Sequence, residues 1–267
     1  MRPGAEGLPR SFAPGIQWLG GCVEAFEPGG TVVHIHASAY LIDGGDESLL
    51  VDTGHPSEWA AVAKQLDSVL GDRPLDWVFP THPELAHAGN LARLLRKYPA
   101  SRVTGDVRDY HLHLPDVDAK RFVHRKPGED IDLGRGYRVV FLQALIKDAP
   151  SSEWAFEVSQ RVLFVADGFS YTHYGVVDDQ PVHRPGECAL MSTELPSPPS
   201  AEQASYITRA ALYWTRFVDV TPIFRRVNEM LEEYPAHFIA PAHGNVIGNV
   251  EQIMPTILRA HQLAYQQ

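Results

Sequence analysis

Two apolar, β-branched runs, TVVHIHASAYLI (31–42) and SLLVDTG (48–54), flank the turn-rich DGGDE. Strand residues on both sides of a Gly- and Asp-rich break predict a hairpin. SEWAAVAKQLDSVL (57–70) changes to helical spacing, with Ser57 as the expected N-cap. A short apolar strand follows in DWVFPTH (76–82), then helical spacing over 88–98, then another strand in RVTGD (102–106). DYHLHL reads as helix-like, with His111 and His113 facing solvent. YRVVFLQ (137–143), EWAFEVS (153–159) and RVLFVADG (161–168) predict three further strands, with a tight turn at Ser159–Gln160. Residues 170–200 hold several Pro and Gly and form the longest irregular stretch, a candidate active-site loop. Helices are expected over about 201–218 and 222–233, the second with Thr221 as N-cap and Pro222 at its first position. HFIAPAHG (237–244) reads as a strand running into a loop, and 249–265 as a closing helix.

Strands, helices, strands and helices in two similar halves favour packed sheets with helices outside. A length of 267 residues suits one domain over 1–267 with an irregular lead-in at 1–15. The formal charge of −10 argues against nucleic-acid or anionic-membrane partners, which favour basic surfaces. MRPGAEGLPRSFAPG carries Pro and Gly where a signal peptide needs an apolar stretch. No apolar run approaches the ~18 residues of a membrane span. Cys22 and Cys188 have no framework spacing and read as two reduced thiols, so a cytoplasmic protein is expected.

Three segments repeat one arrangement, an apolar strand followed by a polar residue in the next loop. They are WVFPTHPELAH with His82, Glu84 and His87, VLFVADGF with Asp167, and HFIAPAHG with His243. A lone strand-end histidine is more often a satisfied surface residue than a ligand. Three such ends meeting at one rim would gather the imidazoles and carboxylates that suit zinc, iron or manganese.

The series VDTG, THPELAHAGN, VLFVADGF and APAHG resembles the metallo-β-lactamase superfamily over about residues 31–248. That resemblance implies a four-layer αββα sandwich with one or two metals at the sheet edges. Most members carry THxHxDH and hydrolyse esters, thioesters, lactams or phosphodiesters with zinc. Here Glu84 stands at the second histidine, as in the HxExDH pattern of the flavodiiron, oxygen-handling branch. Carried over, one metal position takes His82, Glu84, a later histidine and the bridging Asp167. The other takes His87, Asp167 and His243, and metal is expected there first. Asp52 takes a supporting, non-ligand role, and Gly54, Gly89 and Gly244 permit tight turns beside the site.

Two departures qualify the resemblance. The motif's aspartate is Ala86, and ALIKDAPSSEW matches the family's "apMLHwPdS" with Lys147 in place of its histidine. His34 and His36 share one face of a strand and stand as replacement ligands or substrate contacts. The bland reading, histidines on a partly wet sheet face, is as good. His173, Tyr171 and Tyr174 are further candidates beside Asp167, with aromatic loop packing the plainer role for the tyrosines.

The function implied is a non-haem iron oxidoreductase-type protein acting on O2 or a related small oxidant. Its centre is mono- or dinuclear, with iron, or alternatively zinc or manganese, as the metal. A separate electron donor and a homodimer are expected with it. The alternatives are a zinc-dependent hydrolase of a lactone, ester or thioester, and a metal-poor, non-catalytic member of the family.

Overall fold

A computed structural model describes residues 6–26, 32–173, 175–177, 180–182 and 186–264; the side chains of 175–182 are outside that description. The first five residues of the expected lead-in, Thr31, Tyr174 and the end of the closing helix at Tyr265 also lie outside it.

The first sheet has seven strands in chain order: β1 (Arg10–Ala13), β2 (Ile16–Phe26), β3 (Val32–Asp43), β4 (Ser48–Val51), β5 (Trp77–Phe79), β6 (Arg102–Gly105) and β7 (Phe122–His124). Strands β1 to β4 form an antiparallel meander, with the expected β3–β4 hairpin. From β4 to β7 the pairing is parallel, and helices carry the chain back between strands. The lead-in is therefore not irregular throughout, because Arg10–Ala13 pairs with β2.

In the second sheet β8 (Asp130–Gly134), β9 (Tyr137–Gln143), β10 (Glu153–Glu157) and β11 (Val162–Phe164) pair antiparallel in sequence order. The stretch expected to be irregular contains a small ribbon, β12 (Gly175–Val177) with β13 (Gln180–Val182). β14 (Phe238–Ala240) returns to pair parallel with β11 at the sheet edge.

Three apolar layers hold this together. Between the sheets lie Trp18, Tyr40, Phe79, Phe141 and Phe164. Phe79 and Phe141 meet edge to face across the gap, ring centroids 5.0 Å apart. On the outer face of the first sheet, α1 (Trp59–Leu70), α2 (Leu85–Ala88), α3 (Leu91–Lys97) and α4 (Tyr110–His113) follow the strands. Val62, Leu66, Leu91, Leu94 and Tyr110 bury the inner stripes of α1, α3 and α4. On the far side of the second sheet, α5 (Ala201–Ala210), α6 (Thr221–Glu233) and α7 (Val250–Leu263) cover Trp154, Phe156 and Leu163 with Ala204, Phe224, Val227 and Ile257. Helices, sheet, sheet and helices make the αββα sandwich.

Several boundaries depart from the sequence reading. Ser57 caps nothing; His55 Nδ1 accepts its N–H and starts a single 3₁₀ turn before α1. The helix expected over 88–98 starts at Leu91 as α3, after the separate single turn α2. That expected over 201–218 ends at Ala210, and Tyr213–Phe217 is a 3₁₀ turn. Trp214 Nε1 there donates to the Lys147 carbonyl at 2.6 Å, a tertiary bond that fixes the tighter winding. Thr221 lies inside α6, with its N–H held by Asp219 Oδ1. His111 and His113 are exposed, in line with their solvent-facing reading.

Candidate metal centre

Five strand ends converge at one rim of the sandwich. β5 ends at Phe79, and Thr81 and His82 follow; α2 then carries His87 inward. β4 delivers Asp52, the β9–β10 turn Asp148, the end of β11 Asp167, and the end of β14 His243. A strand end serves this purpose because the sheet fixes its direction while the loop frees its side chain.

Asp167 is the centre of the arrangement. Its Oδ2 lies 3.5 Å from His82 Nε2, while its Oδ1 lies 3.5 Å from His87 Nε2 and 3.2 Å from His243 Nε2. One carboxylate thus faces two imidazole sets with its two oxygens. On the Oδ2 side, Asp148 Oδ2 is 3.1 Å and Glu84 Oε2 4.0 Å from His82 Nε2. The rings of His82 and His87 are 3.8 Å apart.

Asp52 and Thr81 fix the His87 ring from behind. Asp52 Oδ2 and Thr81 Oγ1 each lie 2.9 Å from His87 Nδ1, and Thr81 also donates to Asp52 Oδ1. A carboxylate behind the ring holds the Nδ1 proton and turns Nε2 forward. The His36 carbonyl does the same for His243 Nδ1. Asp52 is therefore a support for His87 and points away from the rim.

Burial and charge set the electrostatics. His82, His87 and Asp167 are buried, and His243 nearly so, whereas Glu84 is mostly exposed. Burial disfavours a charged His87, yet Asp52 and Asp167 on either side outweigh it and raise its pKa well above the usual imidazole value. Burial likewise opposes ionised Asp167 and Asp148, but the facing histidines hold both below the usual carboxylate range. For His243 burial prevails over Asp167, and its pKa falls.

The chemistry of these donors fits a divalent cation. His82 Nε2, His87 Nε2 and Asp167 Oδ1 are buried without a hydrogen bond, although each faces an oppositely charged or lone-pair atom. Such orphaned atoms cost about 1–3 kcal/mol each unless another partner serves them. Two sets, His82 with His87 and Asp167, and His82 with Glu84 and Asp148, bring three ligand atoms within 4.8 Å of one another. Mixed imidazole and carboxylate donors suit iron, manganese or zinc.

The structure gathers His82, Glu84, His87, Asp167 and His243 at the rim and departs from the expected register in the later segment. Asp148, not Lys147, turns its side chain to His82, and Ser152 Oγ and the Ala149 N–H hold it there. The spacing signals this: the family's histidine stands two residues before proline, as Asp148 stands before Pro150. Thr81 was likewise missed. Among the described residues, His34, His36 and His173 do not join the groups that bring three ligand atoms together at the rim. His36 Nε2 is bonded to the Cys188 carbonyl, and the His173 N–H to the His34 carbonyl. Tyr171 is buried and donates its hydroxyl to the Asn245 carbonyl, a packing role. Gly244 has the expected positive φ of 115° under the Tyr171 ring, but Gly89 has ordinary helical φ and is needed for close approach to Pro56.

The fold and this rim define a class, and the family model for the metallo-beta-lactamase superfamily matches residues 33–243: the chain belongs to that superfamily. Among its relatives, the coenzyme F420H(2) oxidase of Methanothermobacter thermautotrophicus is 27% identical over 49% of this chain and 34% of its own length. The anaerobic nitric oxide reductase flavorubredoxin of Vibrio vulnificus is 25% identical over 78% of this chain and 40% of its own. The solved rubredoxin oxygen:oxidoreductase of Desulfovibrio gigas superposes with a TM-score of 0.72 at 18% identity, over 97% of this chain and 62% of that one. The chain thus spans well under half the length of these curated relatives, and the likeness covers their metallo-β-lactamase-like part. Among the described residues no helix is long and apolar enough to cross a membrane.

Proposed function

We propose that the chain is a non-haem iron oxidoreductase-type protein that binds and reduces O2, nitric oxide or a related small oxidant at this rim. The carrying observation is Asp167 between two donor sets, with three buried ligand atoms left without hydrogen bonds. His82, Glu84, Asp148 and Asp167 would hold one cation and His87, Asp167 and His243 a second. Iron bound there supplies open positions for a diatomic ligand and a reversible one-electron change. The relatives' names, an oxidase and a nitric oxide reductase, support that chemistry over hydrolysis.

The two positions differ in this chain. The first has one imidazole and three carboxylates, a hard, oxygen-rich set that favours iron(II) or manganese(II) over zinc. The second lacks a carboxylate at Ala86 and keeps two imidazoles and Asp167, the composition of a two-histidine, one-carboxylate site with open positions. We therefore assign the tighter metal to the first position and the more exchangeable one, with room for the oxidant, to the second. This reverses the order expected from sequence, since Asp148 supplies the donor that Lys147 could not.

The chain's own groups do the remaining work. Asp52 and Thr81 hold the Nδ1 proton of His87 and the His36 carbonyl that of His243, so both Nε2 atoms face Asp167, where a cation would displace any proton that His87 Nε2 carries. Electrons would come from a separate donor, and a homodimer would complete the surroundings of the rim.

Anaerobic purification with metal quantification, followed by oxygen uptake under a chemical reductant, tests the reading. Iron or manganese at one to two per chain with oxygen or nitric oxide consumption is expected. Full zinc occupancy with turnover of a lactone or thioester, abolished by His243→Ala, would replace it with the hydrolase.

A further inference from the structure

The only two cysteines of the chain, far apart in sequence, meet beside the candidate centre. Cys22 lies on β2 directly opposite His36 on β3. Cys188 lies in the 3₁₀ turn Glu187–Ala189, and its carbonyl is 2.8 Å from His36 Nε2. A carbonyl only accepts, so His36 carries its proton on Nε2 and presents a bare Nδ1 lone pair. The His36 and His173 rings stand 5.3 Å apart. The Cys188 thiol is in hydrogen-bonding contact with both the Cys22 thiol and His173. All four side chains are buried.

A buried cysteine is usually a small apolar filler. Here two thiols contact each other, flanked by two imidazoles. The Cys22 S–H donates to the Cys188 sulfur, and that contact outweighs burial in favouring a Cys188 thiolate, with His173 adding to it, while the Cys22 thiol is pushed up. One sulfur is thus prepared as a nucleophile and the other as a protonated neighbour within reach.

We propose that Cys22 and Cys188 form a redox pair that closes to a disulfide when hydrogen peroxide reaches Cys188. The Cys188 sulfur attacks the O–O bond; a sulfenic acid forms and the departing hydroxide leaves as water with the proton Cys188 had shed. The Cys22 thiol then attacks the sulfenic sulfur, the S–S bond forms, and a second water leaves. Two thiols lose two electrons, and one peroxide becomes two waters. Because the Cys188 carbonyl holds the His36 ring and the His36 carbonyl holds His243, the oxidised pair shifts the backbone support of the rim. The step itself needs no metal, so it stands apart from the function proposed above.

The full chain, reduced, desalted with chelator and exposed to about a tenfold excess of hydrogen peroxide, is denatured, alkylated and mapped by mass spectrometry. A cross-linked Cys22–Cys188 peptide, about 2 Da below the paired thiol peptides and restored by dithiothreitol, is expected within minutes. In Cys22→Ser the Cys188 sulfenic acid should persist and react with dimedone, whereas in Cys188→Ser the Cys22 thiol should stay alkylatable. Two free thiols after treatment of the wild-type chain overturn the pair. So does Cys188 sulfinic acid beside an unreacted Cys22, or a stoichiometric zinc that both cysteines retain.

Discussion

His82 Nε2 and Asp148 Oδ2 lie 3.1 Å apart, joining the end of β5 to the turn between β9 and β10. This contact would make the proposed first metal position rich in carboxylates. Asp148→Asn should weaken the first equivalent of manganese(II) or iron(II) at least tenfold, because even supporting-residue changes cost about 10–100-fold. Asp148→His should move preference towards zinc. Competitive metal titration reads both, and unchanged affinities in both variants would remove Asp148 from the ligand set.

The second position should be repairable. Ala86 stands where the family motif has an aspartate, one residue before His87. Ala86→Asp should tighten the second equivalent by about tenfold or more, since a carboxylate adds a charged donor. A stepwise calorimetric titration that still shows one tight and one weak event would count against it.

Asp52 offers a third test. It accepts from Thr81 and holds the rear nitrogen of His87 without reaching the rim. Asp52→Asn should cost about 10–100-fold in second-position affinity while the first changes less. Equal losses at both positions would indicate a general collapse of the loop.

Acid sensitivity should have an origin outside the rim. His261 on α7 is buried with Thr215 Oγ1 beside its Nδ1, and burial lowers its pKa from 6.5 to about 4. The unfolded chain takes this proton first, so stability falls as pH drops below about 6.5 and levels off below about 4. His261→Gln should reduce the stability lost between pH 7 and 4.5 by about 2–3 kcal/mol, whatever its effect at pH 7. Urea midpoints at the two pH values check this.

Legibility in the sequence followed physical range. The β3–β4 hairpin, β9 to β11 and the rim motifs were readable because alternation and turn chemistry are local. β2 was not, since Gly20 and Gly21 interrupt its apolar pattern and pairing with β3 and β1 stabilises it. The break after α5 depends on Trp214 reaching Lys147 across the fold. Asp148 was hidden by one residue of register, which only the turn built by Ser152 resolves. The meeting of Cys22 with Cys188 had no local signal, because it arises where two distant segments close on His36.

The ownership of the rim residues has a mechanical consequence. His82 and His87 belong to loops of the first sheet, whereas Asp148, Asp167 and His243 belong to loops of the second. An ion gripped by both would act as a rivet through the sandwich, and the sheets could not shear apart without ejecting it. At a hundred times its dissociation constant such an ion adds about 2.7 kcal/mol against that separation. Loss of metal would then loosen the seam between the two layers before it loosened either layer itself.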